Sequence, residues 1–315
     1  MPLLSVIIPV FNSSKYLIEG LESILNNNLE ELEIIAIDDC STDNSLTILK
    51  QYQTKFKRFI LIRNRENRGY GYSCNRGIKL ATGKYLAFFE PDDLLDKQFY
   101  DVLLDNRGNA DIIKYNGIYE ISRNSGIRRI FRYRNFPSGE FEYNKYLRFW
   151  KTHPSIINSI YNKDFILKRE IKFCETPGAS YQDVQFNISL YYSKPKIKIV
   201  DDCKYYYRRH ETQSTKTLST NKIKNVIENW EEETRYLNSK FVIDKEYFNL
   251  QWYRQFNSIF KIANFQERIF ILKYLLRNSN KKKVKISTFK SFNIDLSLLV
   301  RYFLIRTSSC VINFF

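Results

Sequence analysis

The sequence predicts an α/β protein with a Rossmann-like, doubly wound and mainly parallel sheet, followed by a C-terminal helical extension. Four strand-and-helix repeats fit into about 90 residues at the start of the chain, a spacing typical of parallel α/β sheets. Residues 85–89 form a continuous apolar run, as expected for a strand that is covered on both faces. In the last hundred residues, apolar side chains recur at helical spacing instead.

The predicted strands are rich in apolar and β-branched residues, and each ends close to turn residues. They cover residues 3–10, 33–39, 59–62 and 85–89, and the helices between them begin near Tyr16, Ser41 and Ser73. A further helix is predicted to begin near Leu94, a further strand at residues 111–116, and more strands and loops at residues 117–141.

The C-terminal hundred residues predict a helical region that ends in a basic and apolar tail. The three predicted helices are residues 223–237, 247–263 and 266–276. A linker with four lysines follows at residues 278–285, and residues 296–315 are apolar but interrupted by Arg301 and Arg306. Since no uncharged apolar run reaches the length of about 18 residues that a spanning helix needs, this tail predicts a helix in the plane of a membrane surface. Packing onto the rest of the chain, or onto a partner subunit, is the alternative.

The formal charge of +16 is concentrated towards the C-terminus, where residues 216–315 carry 18 Lys and Arg against 8 Asp and Glu. A basic surface of this kind could bind nucleic acid, anionic lipid or a phosphate-bearing substrate. The sequence contains no helix-turn-helix, zinc-finger or RNA-binding motif, so we expect no nucleic-acid partner. Salt-sensitive gel shifts on DNA or RNA would revive that alternative.

The cysteines and the N-terminus predict a cytoplasmic protein. The five cysteines are scattered and form no CxxC pair, which argues for a reducing compartment and against a structural zinc site. The first predicted strand begins within three residues of Met1, which leaves no room for a signal peptide. With the basic tail, the expected location is the cytoplasm, peripheral at the inner face of the cell membrane.

Acidic residues follow two of the predicted parallel strands. Asp38 and Asp39 end the second strand, and Glu90, Asp92 and Asp93 follow the fourth. Parallel α/β sheets bind ligands beyond the carboxyl ends of their strands, and grouped carboxylates suit a divalent cation that also binds phosphate oxygens. The chain has neither a G-x-G-x-x-G motif after its first strand nor a P-loop lysine. The pattern therefore predicts a metal–diphosphate site, with helix capping by the Asp residues as the alternative.

Five motifs in this order resemble the family 2 glycosyltransferases, in particular the capsule and lipooligosaccharide type. They are SVIIPVFN at residues 5–12, IDDCSTD at 37–43, NRGYGYSCNRGI at 67–78, ATGKY at 81–85 and EPDD at 90–93. The resemblance is dense over residues 3–95, looser over 150–215, and absent from the last hundred residues. It implies an inverting enzyme of the A-type glycosyltransferase fold that uses a nucleotide sugar.

The resemblance implies a set of donor-binding and metal-binding residues. The implied donor-binding residues are Pro9, Phe11, Asn12, Asp39, Asn67, Gly69, Asn75, Asp92, Arg208 and His210. Among them, Asp39 would accept a hydrogen bond from the imide of a uracil base. A Mn²⁺ or Mg²⁺ ion would bind mainly to Asp93, with Asp92 nearer the ribose and donor sugar, and Glu90 at the first acidic position.

One position departs from the family pattern. Cys74 stands where the family often has an arginine, which puts a cationic contact with the diphosphate there in doubt. Arg68 or Arg76 could compensate, or could be ordinary surface charges. In the closing segment, Arg208, Arg209 and His210 are all plausible diphosphate contacts, and we favour Arg208 or His210.

The resemblance also implies a catalytic base. Inverting transfer needs a carboxylate that takes the proton from the acceptor hydroxyl, and Asp183 stands where the family has this base, with Gln182 in place of the usual Glu. Helix capping by Asp183 is the alternative. His153 lies in a segment that resembles the acceptor side of related transferases, where either a catalytic or an ordinary structural histidine is conceivable.

These inferences combine into one functional hypothesis. The chain would transfer a hexosyl or N-acetylhexosaminyl group from a UDP-sugar to a hydroxyl of a glycan, free or lipid-linked, in polysaccharide or lipooligosaccharide biosynthesis. Residues 1–120 would bind the donor, 121–215 would bind the acceptor and supply the base, and 216–315 would form the basic helical region. A dTDP- or CDP-sugar donor, or a non-catalytic nucleotide- or glycan-binding module, is the alternative.

Overall fold

A computed structural model describes most of the chain, which divides into two compact units, Met1–Glu211 and Thr212–Phe315. The described residues are 1–28, 30–122, 126–131, 139–142, 155–179, 181–211, 213, 219–241 and 245–278. The predictions for His153, for the linker after residue 278 and for the apolar tail lie outside the described residues.

Two sheets organise the described part of the first unit. The strands are β1 (Leu4–Val10), β2 (Leu32–Asp38), β3 (Phe59–Arg63), β4 (Tyr85–Phe88), β5 (Leu94–Leu95), β6 (Ile112–Tyr115), β7 (Ile118–Ser122), β8 (Gly126–Phe131), β9 (Gly139–Glu142), β10 (Ser159–Asn162), β11 (Lys196–Val200) and β12 (Tyr205–Arg208). The helices are α1 (Ser14–Leu25), α2 (Ser45–Tyr52), α3 (Tyr70–Leu80), α4 (Phe99–Asp105), α5 (Lys163–Lys168) and α6 (Gln182–Tyr192).

The larger sheet confirms the predicted doubly wound, mainly parallel architecture. Its strand order is β3-β2-β1-β4-β10-β6-β11-β9. The run β3-β2-β1-β4 is parallel, as is the pair β6 and β11. Strand β10 runs against β4 and β6, and β9 runs against β11. Strands β1, β2 and β4 are buried along their whole length, because helices cover both faces of the parallel run.

The smaller sheet corrects the prediction of a helix near Leu94. Its order is β5-β12-β7-β8, and Leu94 and Leu95 pair with Tyr206 and Tyr205 in an antiparallel ladder. The next helix begins only at Phe99. The acidic residues before Leu94 therefore do not cap a helix, and the local pattern was overridden by a strand partner more than a hundred residues away.

Helix α3 begins three residues earlier than predicted, because the segment at residues 173–178 packs against its first turn. Gly69 has φ +88°, and a Cβ there would lie 2.7 Å from the carbonyl oxygen of Thr176. At Gly71, a Cβ would lie 1.9 Å from the carbonyl oxygen of Cys174. Both glycines are thus required by close backbone approach.

Aromatic rings fix helix α6 beneath the end of β4. Phe173 and Phe186 stack with centroids 4.2 Å apart, and Phe88 meets them edge-on at 5.0 and 5.4 Å. All three side chains are fully buried. Such rings contribute large apolar areas and geometric preference, so the start of α6 is held near the carboxyl end of β4.

The second unit is helical over its described residues, as the periodicity predicted. Its helices are α7 (Thr220–Lys240), α8 (Lys245–Ile262) and α9 (Phe265–Asn278). Trp230 packs on Phe248, with ring centroids 5.1 Å apart, and Trp252 packs on Tyr274 at 5.8 Å. Among the described helices, none is both long enough and apolar enough to span a bilayer.

Candidate active site

The carboxylate of Asp93 is enclosed by the small sheet. Its side chain is fully buried; Oδ2 accepts a hydrogen bond from the Tyr205 hydroxyl at 2.8 Å and Oδ1 accepts one from the Arg208 amide at 2.9 Å. Burial, followed by the neighbouring Asp92 charge, raises the pKa of Asp93 well above its usual range. This side chain ties the turn after β4 to β12, which makes it less available to a metal ion than Asp92; the assignment of Asp93 as a metal ligand stays a prediction.

Asp92 is the more accessible carboxylate of the pair, and it faces a histidine. His210 Nε2 lies 2.8 Å from Asp92 Oδ2, and the two side chains are 11% and 26% exposed. The imidazole ring packs on Tyr16 with centroids 4.5 Å apart. Arg208 donates from Nε to the Asp92 carbonyl at 2.8 Å, and its Nη2 lies 2.7 Å from Glu19. Asp92, Arg208 and His210 therefore converge, and their role in donor binding stays a prediction.

Arg209 is turned away from this group. Its Nε donates to Glu120 Oε2 at 2.6 Å, whereas Arg208 and His210 both reach Asp92. The pairing of β12 with β7 continues to Arg209, whose amide donates to the Ile121 carbonyl at 2.8 Å, and successive side chains of such a backbone point to opposite faces. The structure thereby separates three neighbouring basic residues that the sequence could not distinguish.

The donor set around Asp92 fits a divalent cation that shares a diphosphate. No group of three or more His, Cys, Asp or Glu side chains is arranged around a common point in the described part of the chain. A carboxylate and an imidazole do meet at Asp92 and His210, and a hard cation held by few protein ligands completes its shell with phosphate and water oxygens. The surplus of carboxylates at this end of the sheet, with Glu90 and Asp93 close to Asp92, gives a cation an electrostatic reason to bind.

Glu90 lies in a partly enclosed position beside α3. Its Oε1 accepts a hydrogen bond from the Tyr70 hydroxyl at 2.7 Å. Burial and then the charge of Asp92 raise the pKa of Glu90 to about 8. The Cys74 side chain is fully buried here, and burial together with Glu90 raises the pKa of its thiol. A neutral group thus occupies the position where the family often has a cation.

The two arginines that could have replaced that cation are engaged near the end of β3. Arg68 Nη1 lies 3.1 Å from Glu66, and its guanidinium lies over the Tyr72 ring. Arg76 donates to Asn64 Oδ1 at 2.5 Å. Neither contact leads to the acidic group after β4.

Asp39 organises the turn before α3. It is 4% exposed; Oδ1 accepts from Asn64 Nδ2 at 2.6 Å and from the Arg68 amide at 2.9 Å, and Oδ2 accepts from the Gly69 amide at 2.7 Å. Asn67 Oδ1 accepts a second, longer bond from Gly69 at 3.2 Å. Oδ1 already accepts two bonds, whereas Oδ2 accepts one and keeps lone-pair capacity, so the hydrogen bond from a base imide to Asp39 stays a prediction.

Asp38 was not among the predicted site residues. It is fully buried, and its Oδ2 makes no hydrogen bond to any described residue, although Arg63 Nε lies 3.3 Å away outside hydrogen-bond geometry. The acid pair at the end of the second strand was visible in the sequence, but only the structure distinguishes its two members.

The turn after β1 is hydrogen-bonded to the turn after β2. Asn12 has φ 49°. Its side-chain Oδ1 accepts a hydrogen bond from the Thr42 backbone amide at 2.8 Å, and its backbone amide donates to Ser41 Oγ at 3.1 Å. Pro9 lies in β1 opposite Ile37. Phe11 is 47% exposed, which leaves an aromatic face at the carboxyl edge of the sheet.

Asn75 has a structural role in this fold. Its Nδ2 donates to the Phe173 carbonyl and to Glu175 Oε1, both at 2.9 Å, and its Oδ1 accepts from the Phe173 amide at 2.9 Å. Asn75 is 6% exposed, and these bonds hold the segment before α6; a contact between Asn75 and the nucleotide sugar stays a prediction.

Asp183 lies in the first turn of α6. The residue before the helix is Tyr181, at φ 62°, and it makes no side-chain capping bond, so the helix begins without Asp183 as its N-cap. Burial raises the pKa of Asp183 to about 6 against the opposing effect of backbone amides. Its charge in turn contributes to the raised pKa values of Tyr70, Cys74 and Glu90. Asp183 and the acids after β4 therefore share one electrostatic environment.

Gln182 stabilises the loop that leads into this helix. Its Nε2 donates to the Thr176 carbonyl and hydroxyl oxygens at 3.2 and 3.1 Å and to the Gly178 carbonyl at 3.0 Å. The amide thus performs a positioning role that needs no charge, which accounts for Gln in place of an acid.

Comparison with known proteins identifies the family of this chain. A family model described as Glycosyl transferase family 2 matches residues 5–169. An uncharacterized glycosyltransferase of Methanocaldococcus jannaschii is 31% identical over 295 residues, covering 91% of this chain and 97% of the relative. The poly(ribitol-phosphate) beta-glucosyltransferase of Bacillus spizizenii is 28% identical over 211 residues. The match covers 65% of this chain but only 32% of that relative.

The fold is also that of a solved structure. The crystal structure of S. aureus TarS residues 1–349 in complex with UDP-GlcNAc matches with a TM-score of 0.70 and 21% identity, covering 90% of this chain and 82% of that chain. This likeness confirms the expected A-type glycosyltransferase fold. Since the family model extends over more than half of the sequence, this chain belongs to glycosyl transferase family 2 and is a glycosyltransferase.

Proposed function

We propose that this enzyme is an inverting, metal-assisted glycosyltransferase that moves a sugar from a UDP-sugar to a hydroxyl of a glycan acceptor. The observation that carries the proposal is the division of carboxylates at one end of the large sheet. Asp92 faces His210 in an accessible position, while Asp183 lies on a different element with a pKa of about 6. Two carboxylates with different surroundings suit two different roles.

Asp183 is the proposed general base. Its carboxylate takes the proton from the acceptor hydroxyl while the oxygen forms a bond to the anomeric carbon of the donor sugar. The bond from that carbon to the diphosphate oxygen breaks on the opposite face, and the nucleotide leaves with the bonding electrons. A pKa of about 6 keeps Asp183 mostly ionised at neutral pH and close to the range in which a base is most effective.

Asp92, His210 and Arg208 are the proposed diphosphate group. Asp92 and His210 would hold the divalent ion, Mn²⁺ or Mg²⁺, which supplies positive charge to the leaving diphosphate. The guanidinium of Arg208 lies at the same position, bonded to the Asp92 carbonyl and to Glu19. Glu19 is mostly exposed, so the guanidinium can exchange this carboxylate for a phosphate oxygen.

The donor and acceptor classes are proposed from the relatives. The structure of S. aureus TarS contains UDP-GlcNAc, which supports a UDP-sugar here, and Asp39, Phe11 and Asn12 remain the proposed contacts of the base and ribose. A thymine base presents the same imide, so a dTDP-sugar is the second candidate. The name of the Bacillus spizizenii relative points to a cell-surface polymer as acceptor.

Calorimetric titration of UDP, with and without Mn²⁺, tests this proposal. Wild-type chain and Asp183→Asn should both bind UDP in a metal-dependent manner, whereas Asp92→Asn should lose the dependence on metal. In an assay of sugar transfer, Asp183→Asn should be inactive despite intact donor binding. Absence of UDP binding to the wild type would refute the donor class, and full activity of Asp183→Asn would refute the base. UDP binding without transfer or donor hydrolysis by the wild type would favour a non-catalytic module.

A further inference from the structure

Two arginines share one buried carboxylate on the small sheet. Glu120, in β7, is 2% exposed, and Arg128 is its cross-strand neighbour in β8. Arg128 donates from Nε to Glu120 Oε1 at 3.0 Å, and its Nη2 lies 2.8 Å from the same oxygen in an ion pair. Arg209, just after β12, donates from Nε to the other oxygen, Oε2, at 2.6 Å. Three sheet segments therefore meet at one carboxylate.

The charges in this group do not balance. One carboxylate faces two guanidinium groups, so the cluster carries a surplus positive charge. The side chains of Arg128 and Arg209 are 61% and 52% exposed, against 3% for Glu120. Arg128 Nη1 and both Nη atoms of Arg209 make no hydrogen bond to any residue that the structure describes. A single arginine would neutralise Glu120, so the second guanidinium and its unused donors call for a further explanation.

The cluster lies next to the proposed donor site along the chain. Arg209 directly follows Arg208, which contacts Asp92 and Asp93, and successive Cα atoms are about 3.8 Å apart. Because both guanidinium groups are bonded to Glu120, their remaining N–H groups are oriented before any ligand binds. Preorganised arginine forks of this kind suit the paired oxygens of a phosphate group.

We propose that Arg128 and Arg209 form a phosphate-binding subsite that recognises a phosphodiester of the acceptor, one residue along the chain from the donor contacts of Arg208. This inference rests on the proposed function, and it adds that the acceptor is an anionic, phosphate-bearing polymer rather than a neutral glycan. The competing explanation is that both arginines only fasten the β7–β8 hairpin to β12. A lipid headgroup presents the same phosphate chemistry, and the experiment separates the two sources.

The test is calorimetric binding of a synthetic glycerol phosphate hexamer to the full chain, with maltohexaose as the uncharged comparison. The variants are Arg128→Gln and Arg209→Gln, each of which leaves Glu120 one arginine, and Arg58→Gln is the matched control because its Nη1 bonds only the Glu30 carbonyl among described residues. Loss of one charge-assisted contact should weaken hexamer binding about tenfold or more in the two cluster variants and leave the control unchanged. Thermal unfolding of each variant verifies that it is folded.

Two outcomes would overturn the inference. One is hexamer binding that is absent from the wild type or equal in all variants, since the arginines would then act only as a fastening. The other is binding of vesicles with phosphatidylglycerol, but not of the hexamer, that is lost in the cluster variants, since the phosphate would then belong to a lipid. A parallel UDP titration distinguishes failure of this inference from failure of the proposed function. If the wild type binds UDP but the arginine substitutions do not change hexamer binding, only the subsite is refuted. If the wild type does not bind UDP, the donor proposal is refuted.

Discussion

Asp92 and Asp93 are neighbours in the chain, yet their different surroundings indicate different roles. Asp93 accepts bonds from Tyr205 and from the Arg208 amide inside the protein, whereas Asp92 is partly exposed and meets His210. A buried carboxylate with protein partners supports the fold, and an accessible one beside an imidazole can take a ligand. This contrast could not be read from the adjacent letters of the sequence.

The first prediction concerns these two side chains. Asp93→Ala leaves a buried hydroxyl and a buried amide without acceptors, so we expect a loss of about 2–4 kcal/mol in the free energy of unfolding. Asp92→Ala should change that quantity by less than about 1 kcal/mol but abolish the metal dependence of UDP binding. Denaturant unfolding and calorimetry measure the two effects. An Asp93→Ala variant of wild-type stability that had lost only its metal dependence would restore Asp93 as the principal ligand.

The second prediction concerns the pH dependence of transfer. Because burial raises the pKa of Asp183 to about 6, the ionised base predominates above that pH and is lost below it. The rate under saturating donor should fall about tenfold per pH unit below pH 6 and change little just above it. A pH–rate profile between pH 5 and 8 measures this. If the rate fell only near pH 4, the ordinary pKa range of an aspartate, the result would contradict the environment assigned to Asp183.

At the scale of elements, the start of α3 and the segment before α6 pack closely against each other. Glycines at the helix start allow close backbone approach, Asn75 bonds Phe173, and Gln182 bonds Thr176 and Gly178. These contacts join two parts of the chain that are about a hundred residues apart. They bring Tyr70 and Cys74 on one helix towards Asp183 on the other.

The third prediction tests that contact. In Gly71→Ala the new Cβ would lie 1.9 Å from the Cys174 carbonyl oxygen, so the segment must move, and we expect a destabilisation of about 2 kcal/mol or more together with a lower rate of transfer. Gly126→Ala is the control, since its Cβ would meet nothing within 4 Å at φ +63° and should cost only about 1 kcal/mol in backbone strain. Thermal unfolding and transfer rates compare them. Equal effects in both variants would show that the close approach is unimportant.

At the scale of the whole molecule, the proposed site lies in one unit and most of the excess basic charge lies in the other. The proposed site residues all lie within Met1–Glu211, and the helices after residue 219 belong to the second unit. Residues 216–315 hold 18 Lys and Arg against 8 Asp and Glu. Charge of this sign and density favours anionic surfaces through long-range attraction, so we propose that the second unit provides membrane attachment.

The fourth prediction separates the two units. A chain ending at Glu211 should retain metal-dependent UDP binding, whereas it should lose flotation with vesicles of phosphatidylglycerol. The full chain should float with these vesicles at low salt and less at high salt, because screening weakens surface attraction. Flotation of the shortened chain would place the membrane contact in the first unit instead, and loss of its UDP binding would show that the first unit depends on the second.

The sequence by itself determined the class of fold, the parallel strands, the helical C-terminal region and the family, because these depend on local periodicity and on motifs of consecutive residues. It also determined that acids gather at the carboxyl ends of strands, since parallel topology brings those ends to one edge. Only the tertiary structure decided that Leu94 and Leu95 enter a strand, that Asn75 holds a loop, and that Arg208 and Arg209 face different partners. The physical reason is that burial, strand pairing and hydrogen-bond partners are set by residues about a hundred positions away, and no local pattern encodes them.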